Sequence, residues 1–202
     1  MKANKKGIAQ MTQLAMLVAI LVILTVTNLG LITTGVVSIT FLHIPVIIGS
    51  LIMGPYYGGI LGFCFGIIAM LNATFRGATP VDMMFTPFGG HNMPIQAIIM
   101  CIAPRIVLGV VPALFQKLLS KRIKKEHIST AISAALSTII HTVLVLGCLY
   151  FFFFTDMNFS TVIKTVFLAV VGLNGSLEVL AATIICSAIS VPLRKYLRGR
   201  QI

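Results

Sequence analysis

Between Lys6 and Arg76 the chain runs for 69 residues, 7 through 75, without a single Asp, Glu, Lys or Arg. A membrane-spanning helix needs only about 20 consecutive apolar residues, so this stretch alone holds three spans. Its consequence reaches the whole chain: with 58% hydrophobic and 9% charged residues over 202 positions, no water-soluble surface can be assembled. The net charge of +11, from 15 basic against 4 acidic residues, would suit a nucleic-acid binder only if the basic residues spread over one polar face. They gather instead at a few hydrophilic breaks, which is the pattern of a polytopic membrane protein.

Apolar runs set against their Gly, Pro and charge punctuation predict an all-α integral membrane protein. The expected organisation is a single transmembrane domain over 1–202 with six helices at about 8–27, 40–53, 56–71, 93–119, 128–154 and 160–193. Gly54-Pro55 ends the short second helix in a tight turn, and Pro45 marks a kink or a late helical start. The first apolar run, Ile8 to Val26, exceeds a signal-peptide core of roughly 7 to 15 residues, so it is expected to be retained. Cys64, Cys101, Cys148 and Cys186 each stand alone in apolar runs, which is the placement of small buried hydrophobes rather than of zinc ligands or a disulfide framework.

Orientation follows from the cations, because Lys and Arg are retained on the cytoplasmic side. In a six-span arrangement the amino-terminal segment, the break at 117–125 and the tail hold twelve of the fifteen on one side. Both termini are therefore expected to be cytoplasmic. The other side then carries connections at 28–39, 72–92 and around 156–158. The middle one includes Phe75, Phe85, Phe88 and three prolines, and reads as an ordered cap.

No G-x-x-x-x-G-K-[ST], G-x-S-x-G, H-E-x-x-H or G-x-G-x-x-G occurs, so the chain has no nucleotide-hydrolysing motif of its own. An intramembrane enzyme using His43 or His141 with a serine is the competing class. The stronger signal is polar residues inside spans, since an Arg at the bilayer centre costs about 2.5 to 3.5 kcal/mol on insertion scales and needs a partner or a purpose. Arg105, His141 and Glu178 qualify, with Asn174 one turn from Glu178. An Arg105 to Glu178 pair that locks helices together and a ligand-binding role stand as equal readings. Small-residue spacing adds A-x-x-x-A at Ala15 and Ala19 and a glycine ladder at Gly58, Gly62 and Gly66, which let helices approach closely.

The phrases F-L-H-I-P-V-I-I-G-S-L-I-M-G-P at 41–55, Y-G-G-I-L-G-F-C-F-G at 57–66, C-I-A-P-R-I-V-L-G at 101–109 and L-N-G-S-L-E at 173–178 occur in that order. With them the chain resembles the S component of an energy-coupling factor (ECF) vitamin transporter, most closely the pantothenate-specific branch. The resemblance implies a subunit that captures its substrate with high affinity from outside and docks on a transmembrane coupling subunit with two ATPases. It further implies that Ala15 and Ala19 touch the coupling subunit, that ATP is used by the partners, and that this chain binds no cofactor or metal. The expected home is a prokaryotic cell membrane.

Pantothenate carries one carboxylate, two hydroxyls and an amide. Arg76 and Arg105 are candidates for the carboxylate. Asn72, Asn92, Asn174, His91 and His141 could bond its polar groups, and Phe75, Phe85 and Phe88 would shield its apolar part. Folate, riboflavin or cobalamin are the alternatives, although a flat aromatic ligand favours Trp or Tyr for stacking. The chain has no Trp, and its four Tyr fall toward helix ends.

Overall fold

A computed structural model of the protein describes residues 5–27, 29–33, 38–77, 82–88, 93–154 and 175–199. Among these residues there are six α-helices: α1 (Lys5–Val26), α2 (His43–Met53), α3 (Pro55–Arg76), α4 (Pro94–Leu119), α5 (Glu126–Phe153) and α6 (Ser176–Gly199). All but α2 are long and apolar enough to cross a membrane, with mean hydropathy of 1.8 to 2.3. At eleven residues α2 is too short to span, and it is buried from His43 through Leu51. A helix apolar on all sides belongs inside a bundle. There α2 packs against the other five, while α1, α3, α4, α5 and α6 follow one another around it.

Two features depart from the expected organisation. The 28–39 connection contains an antiparallel ribbon of β1 (Leu31–Thr33) and β2 (Ser38–Thr40), with Leu31 opposite Thr40 and Thr33 opposite Ser38. β-branched Ile32, Thr33, Ile39 and Thr40 favour that extended geometry. The 72–92 connection is also shorter than expected, because α3 continues to Arg76 and a 3-10 turn occupies Asp82–Phe85. Residues 72–76 contain neither Gly nor Pro, and the Thr74 hydroxyl donates to Met70 O, a local bond that a helix accommodates. Asn72, Phe75 and Arg76 thus belong to a helix rather than to a loop.

The remaining boundaries follow the punctuation. Gly54 takes φ 93 between α2 and α3, a conformation open to glycine, and Pro55 begins α3 where its missing N–H costs nothing. The helix α6 extends to Gly199 rather than ending near 193; of its expected span, 160–174 lies outside the described residues, as does the 156–158 connection. Of the cysteines, Cys101 and Cys186 are buried, Cys64 and Cys148 are half-buried, and all four are free.

The glycine ladder sets the closest helix pair. A Cβ on Gly58 or Gly62 would run into the carbonyl oxygen of Gly109 or Arg105, and one on Gly66 would lie 2.9 Å from Cys101 O. With glycine at these positions the α3 and α4 backbones touch, which is how helices associate without an aqueous driving force. Residue 105 is thereby held against α3.

Alternate helix ends meet at two opposite faces of the bundle. At one, Arg76 reaches the end of α1, Thr40 reaches the start of α6, and Cys101 donates its S–H to Phe85 O at 3.0 Å. At the other, Arg194 of α6 lies 3.6 Å from Glu126 at the start of α5. Lys117, Lys121, Arg122, Lys124 and Lys125 share that second, basic end.

Candidate functional site

The site begins with a missing hydrogen bond. Pro104 lies inside α4 and has no N–H, so the carbonyl of Met100 loses its usual i+4 donor. The guanidinium of Arg105 replaces that donor, with Nη1 2.7 Å from Met100 O. Arg105 is only 8% exposed, and its Nε has no hydrogen-bond partner. Aromatic faces line it on two sides: Cζ lies 5.0 Å from the Phe85 ring centroid and 5.8 Å from that of Phe65. Cation–π contact partly offsets desolvation, but it does not neutralise the charge.

His141 stands beside this group from α5. Its Nδ1 is 3.2 Å from Pro104 O, and since a carbonyl only accepts, Nδ1 carries the proton and Nε2 is left as an acceptor. The imidazole is tilted at 44° to Phe65, with centroids 6.5 Å apart. His43, at the start of α2, is 2% exposed with Nε2 unpartnered. The interior therefore presents a cation and an imidazole acceptor among Phe65, Phe85 and Cys101. Unsatisfied buried polar atoms are few in native proteins, so the unpartnered Nε of Arg105 marks a place built for another group.

A cap closes this cluster at the end opposite the basic residues. Thr86 and Thr74 share a 2.8 Å hydroxyl contact that ties the 82–88 segment to α3, and the Cys101 bond ties it to α4. Phe85 points inward over Arg105, whereas Phe88 is 82% exposed at the rim.

The other expected site residues divide clearly. Arg105 and His141 come together. Glu178 does not join them, since it sits in the first turn of α6 and accepts the Thr40 N–H at 2.7 Å. An Arg105 to Glu178 pair is therefore corrected: a helix over 160–193 would carry Glu178 deep into the span beside Arg105, whereas Glu178 lies in the first turn of the described helix Ser176–Gly199. Arg76 is exposed and donates through Nη1 to Val26 O at 2.7 Å, capping the last carbonyls of α1. Asn72 is half-buried on α3. His91, Asn92 and Asn174 lie outside the described residues. Ala15 and Ala19 are exposed on α1, on a face that also shows Met11, Met16 and Ile23. Phe65 and His43 had no assigned part in ligand binding; the signal for Phe65 was its place beside Gly66 in the ladder that brings α4 close.

Long apolar helices packed around a buried polar interior define a multi-pass membrane protein. The particular family follows from comparison: residues 9–194 match the family described as "ECF transporter, substrate-specific component", and the chain belongs to it. Over 160 residues, 77% of this chain and 78% of the relative, it is 33% identical to the pantothenic acid transporter PanT of Lactococcus lactis subsp. cremoris (strain MG1363).

Proposed function

We propose that this substrate-specific component captures pantothenate, in one six-helix transmembrane unit with both termini cytoplasmic. The observation that carries the reading is Arg105, a buried guanidinium whose Nε is free and whose nearest described groups are aromatic rings, a histidine and a carbonyl rather than a carboxylate. A cation in such surroundings is best completed by a ligand anion, and a monocarboxylate fits its planar fork. His141 Nε2 would accept a substrate hydroxyl, and Phe65 and Phe85 would cover the gem-dimethyl carbon. Asn72 and Phe88 are the rim candidates, and His91, Asn92 and Asn174, outside the described residues, stay candidates for the ligand's polar groups, with Arg76 holding α1 rather than ligand and Glu178 holding the ribbon. The PanT relative supports this choice of vitamin over folate, riboflavin or cobalamin.

Uptake then requires partners: a transmembrane coupling subunit docking on Ala15 and Ala19, and two ATPases that use the ATP, with no cofactor or metal bound by this chain. Binding of radiolabelled pantothenate, folate, riboflavin and cobalamin to the purified protein in detergent tests the substrate. Saturable binding of pantothenate alone is expected. Saturation by a different vitamin refutes the substrate and leaves the family standing.

A further inference from the structure

We propose that a second site, at the basic end of the bundle, holds the phosphate headgroup of an anionic phospholipid. A cavity of about 500 Å³ opens there between the α2–α3 turn, the end of α4, the 120–125 connection and α6. That volume is ordinary for a small-molecule site. Lys117, Lys124, Arg194 and Glu126 all line it. Glu126 is engaged by Arg194 at 3.6 Å, and among the described residues neither lysine has a carboxylate at salt-bridge distance. Lys117 and Lys124 line the same cavity, so an anion held in it is attracted by both ammonium groups. Ser50 and Gln116 complete the polar wall from its buried side.

The surroundings select a lipid over a soluble anion. Leu114 and Leu118, one turn apart on α4, are 51% and 61% exposed. An apolar strip therefore leads away from the cavity along the helices, where acyl chains would lie. The cavity itself sits where α2 and α4 end and α3 and α5 begin, the level of a membrane interface. Basic pockets between spans at that level bind anionic headgroups. Gln116 is eleven residues from Arg105, about 16 Å along α4, so this site is separate from the capped cluster and does not depend on which vitamin is carried.

Native mass spectrometry of the full chain in detergent, titrated with phosphatidylglycerol or phosphatidylcholine, tests the assignment. Preferential retention of phosphatidylglycerol is expected, with about 30-fold weaker binding in K117Q/K124Q and about 5-fold in K124Q alone, while K121Q/K195Q stays near the parent. Equal loss in K121Q/K195Q would reduce the effect to diffuse surface charge and overturn the site. Equal retention of the two lipids, or displacement of phosphatidylglycerol by excess inorganic phosphate, would overturn the lipid assignment. Both lysines are exposed, and a parent-like melting temperature in each variant separates lost binding from lost fold.

Discussion

Thr40 and Glu178, distant in sequence, are joined by a 2.7 Å hydrogen bond from the Thr40 backbone N–H to Glu178 Oε1. The carboxylate thereby ties the end of β2 to the first turn of α6, where the helix dipole also favours negative charge. If the ribbon closes the mouth over bound substrate, this bond slows release. Glu178→Ala should raise the dissociation rate about 10-fold or more, the scale of a lost hydrogen bond to a charged group, whereas Glu178→Gln keeps an acceptor and should change it less. Dissociation of labelled substrate after dilution measures both. An Ala variant that releases ligand at the parent rate would remove the ribbon from the gate.

Arg105 and Pro104 make a linked prediction. Arg105→Ala should weaken substrate binding by about 10- to 150-fold, since a charge-assisted contact is worth about 1.5–3 kcal/mol. Arg105→Lys keeps the charge and loses the fork, so it should fall between. Pro104→Ala restores the N–H that Met100 O lacks and competes with Arg105 for that acceptor. Its melting temperature should rise or hold while affinity falls. Because Glu178 does not pair with Arg105, the double variant Arg105→Ala/Glu178→Ala should show additive losses in equilibrium binding. Rescue by the second change would restore the ion pair that the geometry rejects.

How far such a site can be read from sequence depends on whether the interaction is local. Gly54-Pro55, Pro94 and the charged breaks are chain-local signals, and α2, α3, α4 and α5 begin and end within a few residues of where those signals put them, except where α3 runs on to Arg76. The ladder of Gly58, Gly62 and Gly66 marked a contact face, although only the fold shows that the facing backbone is that of Arg105 and Gly109. Arg105 stood out because a cation inside an apolar run is costly wherever the chain folds. Its place between Phe65 and Phe85 did not stand out, because the two rings reach it from separate elements and no spacing rule connects them. Glu178 was misplaced for a related reason: its depth depends on where α6 starts, and an apolar run carries no mark of that turn.

Gly62 tests the close approach on which the cluster stands. Gly62→Ala puts a Cβ into the Arg105 carbonyl, a backbone atom that cannot swing aside. The expected cost is about 1–3 kcal/mol, seen as a lower melting temperature and a weaker site, because α4 must move away from α3. Gly59→Ala is the contrast, since its Cβ meets only Val110 Cγ2 at 3.3 Å, a methyl that can shift. Equal stability of the two variants would show that the α3–α4 contact is looser than described.

Ala15 and Ala19 separate capture from transport. Both are exposed on α1, while Leu14, Leu17, Val18 and Leu21 of the same helix face the core. Bulky groups at the two alanines therefore meet no part of this chain's interior, yet they would fill the groove that a partner helix needs for close packing. Ala15→Trp/Ala19→Trp should leave substrate affinity of the purified subunit within about 2-fold, the ordinary range for surface substitutions. Uptake by cells carrying the coupling subunit and ATPases should be lost, along with co-purification of that subunit. Normal uptake with the variant would move the docking face elsewhere on the bundle, and lost binding by the isolated protein would show that this face of α1 supports the site itself.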